Sequence, residues 1–223
     1  MRVPYIKMCG FTRPEEARAA VQLGADLVGI NFYAESTRAV SFGLASKIQT
    51  AVHRASAERG SKRPARTVAV VVNPDVEHVL GILAHVQPDI LQFHGDEPPH
   101  FCRYFRHPYI KAFRIKSSSD ITPIPDYLGG YCVGYLVEAH SATDFGGTGK
   151  VLSYSLAHAA LANPRGFLAG GLAPNTVREA VRMLKPYGVD VASGIESRPG
   201  QKHQELMADF VREVRAAARE ASD

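Results

Sequence analysis

The chain has 223 residues, of which 45% are hydrophobic and 22% are charged, and its formal net charge is +4. This length and composition predict a globular protein with a real core, and they fit one barrel domain over residues 1–223. Pro4 and Lys7 break the first apolar run, and no window approaches the roughly 20 apolar residues that a membrane span needs. We therefore expect neither a signal peptide nor a membrane partner.

The three cysteines indicate a compartment. Cys9, Cys102 and Cys132 are odd in number and widely spaced, which argues against a disulfide framework and predicts a reducing, cytoplasmic location. Cys102 falls in a helical stretch and Cys132 opens a strand, so we expect both to lie in the core.

The basic excess comes from one stretch. Between Arg54 and Arg66 there are five lysines and arginines against Glu58, and this difference of four equals the whole net charge. The stretch has no aromatic residue for base stacking and contains turn residues. We interpret it as a solvated connection and predict no nucleic-acid partner.

Apolar runs alternate with helical patterns from end to end. The predicted strands are Val3–Met8, Leu27–Asn31, Thr67–Val72, Ile90–Gln92, Tyr109–Phe113, Val133–Val137, Gly166–Ala169 and Val189–Ala192. The predicted helices are Pro14–Leu23, Phe42–Ala57, Asp75–His85, Pro98–Phe105, Leu152–Leu161, Asn175–Leu184 and Gln201–Ala218. The fifth crossover, residues 117–130, has turn residues and no clear helix. Eight strands with mostly helical crossovers predict a parallel sheet.

A weak internal repeat favours closure of that sheet. Three helix-to-strand corners, at Asp26, Asp89 and Asp190, enter a strand by way of an aspartate after a glycine or proline. An open doubly wound sheet is the alternative, but it rarely has eight strands in so short a chain, and no G-x-G-x-x-G follows any strand. We predict an α/β fold, a single (β/α)8 TIM barrel.

In such a barrel the strand ends carry the chemistry. Cys9 stands at the tip of the first strand, where a thiol can transfer a proton or act as a nucleophile; buried packing is the alternative. Glu138 is the matching acid at the tip of the sixth strand. These two could exchange protons with a small substrate from opposite sides of the mouth, with Lys7 favouring the thiolate and burial favouring the protonated carboxyl.

Glycine pairs follow the last two parallel strands. Gly170 and Gly171 after the seventh strand, with Ser193 and Gly194 after the eighth, let backbone N–H groups approach an anion near a helix N-terminus. We predict a phosphate site there. A loop over residues 146–150, which includes Gly147, lacks Walker spacing, and we interpret it as a mobile active-site loop.

Three further polar side chains occupy strand ends or the loops after them. Arg38 suits bidentate recognition of a carboxylate, or is a solvated loop arginine; the residues alone do not separate these. Gln92 and His94 alternate on the fourth strand and face the same side. The histidines are scattered singly, so we predict no metal site.

Taken together, these segments resemble the phosphoribosylanthranilate isomerase family of tryptophan biosynthesis. The similarity runs through residues 7–12, 24–29, 32–41, 91–97, 145–150, 169–172 and 190–196. It implies an isomerase that rearranges N-(5'-phosphoribosyl)anthranilate without a cofactor. The oligomeric state is left open between a monomer and a homodimer. Carried over, Cys9 is the general base and Arg38 holds the anthranilate carboxylate. Lys7, Gln92, His94 and Gly147 belong to the substrate site, and the glycine loops hold the phosphate.

Two places depart from the family pattern. The Phe-Asp-Trp-like segment usual after the glycine loop is replaced by Val151-Leu152-Ser153-Tyr154, and the sixth strand tip has a different acid. The family has an aspartate as general acid where this chain has Glu138. The extra methylene moves the carboxyl by roughly 1 Å, which can cost on the order of 100-fold in rate if nothing compensates. Two alternatives therefore stay open: a paralogue that binds a phosphorylated aminosugar with little turnover, and an enzyme for a related aminoribosyl phosphate.

Overall fold

The strands form a closed barrel. A computed structural model describes residues 3–139 and 149–220. The barrel order is β1 to β8, and β1 pairs in parallel with both β2 and β8, so Met8 lies beside Val28 and Val191. The predicted barrel is confirmed. The strands are β1 Tyr5–Cys9, β2 Leu27–Asn31, β3 Arg66–Val71, β4 Ile90–Phe93, β5 Tyr109–Ile115, β6 Cys132–Ala139, β7 Gly166–Ala169 and β8 Gly188–Val191.

Helices follow the strands. They are α1 Pro14–Leu23, α2 Phe42–Arg59, α3 Val76–His85, α4 Pro99–Tyr104, α5 Ile124–Tyr127, α6 Gly149–Ala160, α7 Pro174–Leu184 and α8 Gln204–Glu220. The bounds of α1 are as predicted, because a proline opens the helix and Gly24 closes it with its N–H on Ala20 and Val21. The fifth crossover has only a 3-10 turn, Ser118–Asp120, and the four-residue α5.

The predicted start of the last helix is wrong. Residues 196–202 form a small antiparallel hairpin, β9 Glu196–Arg198 with β10 Gln201–Lys202, before α8 begins at Gln204. The turn at Pro199 and Gly200 explains this, since it reverses the chain before the helix can form. The hairpin is held from outside as well, because the Thr12 hydroxyl donates to the carbonyl of Gly200 at 2.6 Å.

The three corner aspartates differ in position and in their hydrogen-bond partners. Asp26 and Asp89 each stand just before a strand and accept a backbone N–H from the preceding one, at 3.0 Å from Ile6 and 2.7 Å from Thr67. Asp190 instead lies within β8 and points at Lys7. The repeat therefore holds at two corners and fails at the third.

The described core has three parts. Inside the barrel lies an apolar cluster that includes Leu136 and Ile110, a larger cluster fills the space between strands and helices, and a small one around Phe113 and Tyr135 packs β5 and β6 against α5 and α6. Cys102 and Cys132 are buried in the core as predicted. Because side chains alternate along a strand, Glu138 lies on the same interior face as Leu136, nearer the carboxyl end of β6. Apolar side chains thus form the floor beneath the polar ones.

The basic stretch is only partly a solvated connection. Arg54 and Arg59 belong to α2, and the Arg59 guanidinium donates to the carbonyls of Val21 and Ala25 at 2.9 and 2.8 Å. Arg63 lies over the Tyr5 ring. Arg59 thus holds the end of α2 against the end of α1, Arg63 covers the start of β1, and Arg54 is exposed. No helix in the described part of the chain is long and apolar enough to cross a membrane.

Candidate active site

Cys9 is the last residue of β1 and is half-buried at the barrel mouth. Its register partner on β2 is Gly29, and a Cβ on Gly29 would come within 2.5 Å of the Cys9 sulfur. Glycine is required there because any side chain would displace the thiol. The sequence-predicted thiol therefore occupies a place that the neighbouring strand is shaped to receive.

A buried ion pair lies below this thiol. Lys7 is fully buried, and its Nζ donates to Asp190 Oδ1 at 2.8 Å. Burial disfavours the charge of Lys7, but Asp190 and Cys9 outweigh it and raise the lysine pKa. Sequence analysis placed Asp190 only at a helix-to-strand corner and missed its part in the site, although a carboxylate on the interior face of an otherwise apolar strand was a usable signal.

The protonation of Cys9 differs from the expectation. Burial raises the pKa of the Cys9 thiol, and Asp190 adds to this, while Lys7 and Lys202 oppose it. Lys7 does favour the thiolate as predicted, but its effect is smaller than that of burial. Burial therefore favours the thiol over the thiolate at this position.

Arg38 is not a solvated loop arginine. Its loop is ordered by Asn31, whose side chain donates to the Ser36 hydroxyl at 3.1 Å and whose Oδ1 accepts the N–H of Tyr33 at 2.8 Å. The guanidinium binds Glu196 in a bidentate pair, with Nε to Oε1 at 2.8 Å and Nη2 to Oε2 at 2.5 Å. The predicted capacity of Arg38 to bind a carboxylate is thus already used, on one edge, by the protein's own carboxylate.

Two residues of this cluster were missed by sequence analysis. Glu196 follows the eighth strand tip, and Lys202 donates to Glu196 Oε1 at 2.7 Å and to the carbonyl of Ala192 at 3.0 Å. Lys202 was assigned to a helix, which hid its position opposite Glu196. Arg38 and Lys202 together hold the pKa of Glu196 below its usual range although burial opposes this.

Glu138 lies on the other side of the mouth. Its Oε2 is 3.7 Å from His94 Nε2 and 3.5 Å from Arg114 Nε, and 39% of its side chain is exposed. The ring of His94 is held from behind, because Gln92 Nε2 lies 2.8 Å from His94 Nδ1. Gln92 and His94 therefore face the same side, as predicted, and the structure also brings Glu138 to them.

The glycine loops adjoin each other. Gly170 and Gly171 both have positive φ, 96° and 65°, and lead into α7 at Pro174. Gly194 lies in a 3-10 turn, Ser193–Ile195, so close to the carbonyl of Leu172 that a side chain there would clash. The two loops after β7 and β8 therefore meet backbone to backbone. Gly147 of the predicted loop lies outside the described residues.

A thiol and a carboxyl on the interior face of two non-adjacent strands can perform acid–base chemistry, and the nearby cations Arg38 and Arg114 suit a small anionic molecule. The fold and these strand ends define a (β/α)8-barrel enzyme.

Comparison with known proteins specifies the family. A sequence model of N-(5'-phosphoribosyl)anthranilate isomerases matches residues 6–213. The N-(5'-phosphoribosyl)anthranilate isomerase of Trichlorobacter lovleyi is 37% identical over 213 residues, which cover 95% of this chain and 98% of that protein. The chain belongs to the N-(5'-phosphoribosyl)anthranilate isomerase family.

Solved structures of the same family have a similar fold. A phosphoribosylanthranilate isomerase in complex with reduced 1-(o-carboxyphenylamino)-1-deoxyribulose 5-phosphate has a TM-score of 0.76 and 29% identity, covering 96% of this chain and 99% of that one. Monomers made from the dimeric phosphoribosylanthranilate isomerase of Thermotoga maritima also score 0.76, at 28% identity with the same coverage.

Proposed function

We propose that this enzyme converts N-(5'-phosphoribosyl)anthranilate into 1-(2-carboxyphenylamino)-1-deoxyribulose 5-phosphate, an Amadori rearrangement in tryptophan biosynthesis. The observation that carries the proposal is the family match over residues 6–213. Cys9 and Glu138 add to it, because they stand on the interior face at the ends of β1 and β6.

Glu138 is the general acid of the proposed reaction. Its carboxyl gives a proton to the ring oxygen of the ribose, the bond between that oxygen and C1' breaks, and the nitrogen lone pair forms the Schiff base. His94 and Arg114 lie within 3.7 and 3.5 Å of Glu138 Oε2, so positive charge or an N–H is at hand for the carboxylate that this step leaves.

Cys9 is the general base. The thiol first gives its proton to solvent, and the resulting thiolate removes the C2' proton, whose bonding electrons form the C1'–C2' double bond of an enolamine. The enolamine gains a proton at C1' and loses one from the C2' hydroxyl. The substrate thus gains two protons and loses two, so the enzyme returns to its starting state and the reaction consumes no oxidant or reductant.

Binding uses the remaining residues of the mouth. We assign the anthranilate carboxylate to Arg38 and the phosphate to the loops at Gly170, Gly171, Ser193 and Gly194, which provide backbone N–H groups. Gln92 and His94 line the side that holds Glu138, and Lys7 acts from below through Cys9. Gly147 belongs to the loop that we expect to close over the substrate.

The cellular setting follows from the chemistry. Three free cysteines fit a reducing cytoplasm, and the partner is a small phosphorylated molecule. A homodimer is the alternative to a monomer, since the Thermotoga relative is described as dimeric. Analytical ultracentrifugation would decide between them.

The test is the isomerisation of freshly prepared N-(5'-phosphoribosyl)anthranilate, followed by the loss of anthranilate fluorescence. Wild type should turn over, while Cys9→Ser should lose nearly all kcat and still bind the product, because a hydroxyl is nearly isosteric but far less acidic. Cys132→Ser, in the core, controls for loss of a thiol in general. A Cys9→Ser variant that kept more than about a tenth of kcat would exclude Cys9 as the base. An inactive wild type that binds the product analogue would instead support the ligand-binding paralogue.

A further inference from the structure

We propose that Glu196 and Lys202 are positioning residues, which lock one edge of the Arg38 guanidinium and thereby present its other edge to the substrate carboxylate. This inference rests on the proposed function, because it specifies how the carboxylate is recognised. It concerns two buried charged residues to which the acid–base mechanism gives no part.

The first observation is that Glu196 occupies only one of the two hydrogen-bonding edges of the Arg38 guanidinium. A guanidinium has five N–H groups, which can bind carboxylates along two edges. Glu196 takes the Nε and Nη2 edge at 2.8 and 2.5 Å. Among the residues that the structure describes, Nη1 of Arg38 donates no hydrogen bond. One complete edge of the fork therefore remains for a second carboxylate.

The second observation is burial. Only 4% of the Glu196 side chain is exposed, against 23% of Arg38. Glu196 is thus the enclosed member of the pair, and Arg38 is the member that solvent reaches, close enough to Cys9 for the two to interact electrostatically. Gly10 makes this arrangement possible, because Cδ of Arg38 passes so close to Gly10 that any side chain there would clash. The arginine is held on a fixed path beside the loop that follows Cys9.

The third observation is charge. Glu196 alone would cancel the charge of Arg38, and a neutral pair attracts a carboxylate weakly. Lys202, whose side chain is 0% exposed, lies 2.7 Å from the same Glu196 and restores a net charge of +1 to the trio. A charge of +1 matches one carboxylate. This explains why a buried lysine stands behind a carboxylate that already has a bidentate partner.

The hairpin β9–β10 fixes the trio in place. Glu196 begins β9 and Lys202 ends β10. The N–H of Lys202 donates to Glu16 Oε2 on α1 at 3.1 Å, and Thr12 holds the turn through Gly200. The hairpin is thus bound to the first loop and helix, so Glu196 keeps a constant position relative to Cys9.

The experiment measures discrimination for the carboxylate by calorimetry. It compares binding of reduced 1-(o-carboxyphenylamino)-1-deoxyribulose 5-phosphate with binding of the phenylamino analogue that lacks the carboxyl group. In Glu196→Gln and Lys202→Gln, the preference for the carboxylated ligand should fall tenfold or more, with affinity for the carboxyl-free analogue nearly unchanged. KM should rise accordingly, with kcat within about threefold of wild type. Arg198→Gln, on the exposed end of the same hairpin, is the control and should change neither the preference for the carboxylated ligand nor KM.

Two outcomes would overturn the inference. Equal weakening of both ligands would mean that the trio only supports the fold, and tighter binding of the carboxylated ligand by Glu196→Gln would mean that Glu196 competes for Arg38. Failure of the proposed function is a separate result, because wild type would then bind neither ligand.

Discussion

The sulfur of Cys9 lies against the backbone of Gly29, its register partner on the next strand, at a distance where no β-carbon fits. The position of the proposed base is thus set by the absence of a side chain on a neighbouring strand. Positions of this kind tolerate almost no change, because a shift of the reacting group by about 1 Å can lower the rate on the order of 100-fold.

Gly29→Ala should therefore reduce kcat/KM by two orders of magnitude, since the added methyl must push the thiol away. Overpacking of this kind should also lower the free energy of unfolding by about 1–3 kcal/mol. Gly43→Ala is the matched control: it adds the same methyl on the first turn of α2, where nothing lies within 4 Å. Steady-state kinetics and urea unfolding measure both effects, and a fully active Gly29→Ala enzyme would contradict the assignment of Cys9.

The raised pKa of Cys9 predicts the pH dependence. Alkylation requires the thiolate, so the alkylation rate of Cys9 should climb with pH through the neutral range and level off only above the ordinary thiol range. Asp190 is one cause of the raised pKa, so Asp190→Asn should lower the Cys9 pKa and move this limb to lower pH. The rate of alkylation by iodoacetamide against pH, corrected with Cys9→Ser, reports the thiol directly. A limb that moved to higher pH would show that Cys9 is not the group titrating.

Arg38→Lys should raise KM more than it lowers kcat, because an ammonium cannot reproduce the planar fork. It should also leave one oxygen of the buried Glu196 without its donor, which costs on the order of 1–3 kcal/mol of stability. Arg18→Lys, in an exposed ion pair with Glu58, is the control and should change neither KM nor stability. An unchanged KM would remove Arg38 from the substrate site.

Glu138→Gln should lower kcat 100-fold or more, because the amide keeps the shape of the side chain but cannot give a proton. Glu138→Asp should keep or improve turnover if the pocket is built for the shorter acid. Glu58→Gln on the outer surface provides the control. Should Gln be harmless at position 138 while Asp144→Asn abolishes turnover, the role of acid passes to Asp144, which lies outside the described residues.

Local signals explain what could be predicted. The helix Pro14–Leu23 and the strands Leu27–Asn31 and Gly166–Ala169 have the predicted bounds, since proline, glycine and runs of apolar residues act on their own neighbours. Boundaries failed where the deciding contact is distant. β6 extends past Glu138 because it pairs with a long β5, and the register partner of Glu138 is Arg114.

The sequence by itself determined the barrel, the strand ends that carry Cys9, Gln92, His94 and Glu138, and the family, because alternating patterns and short motifs are written locally. Only the tertiary structure decided which charges meet. Lys7 and Asp190 are 183 residues apart and Arg38 and Glu196 are 158 apart, and each pair exists because barrel closure and the hairpin bring distant loops together. A buried charge must find a partner, but nothing in its own neighbourhood of the chain names that partner.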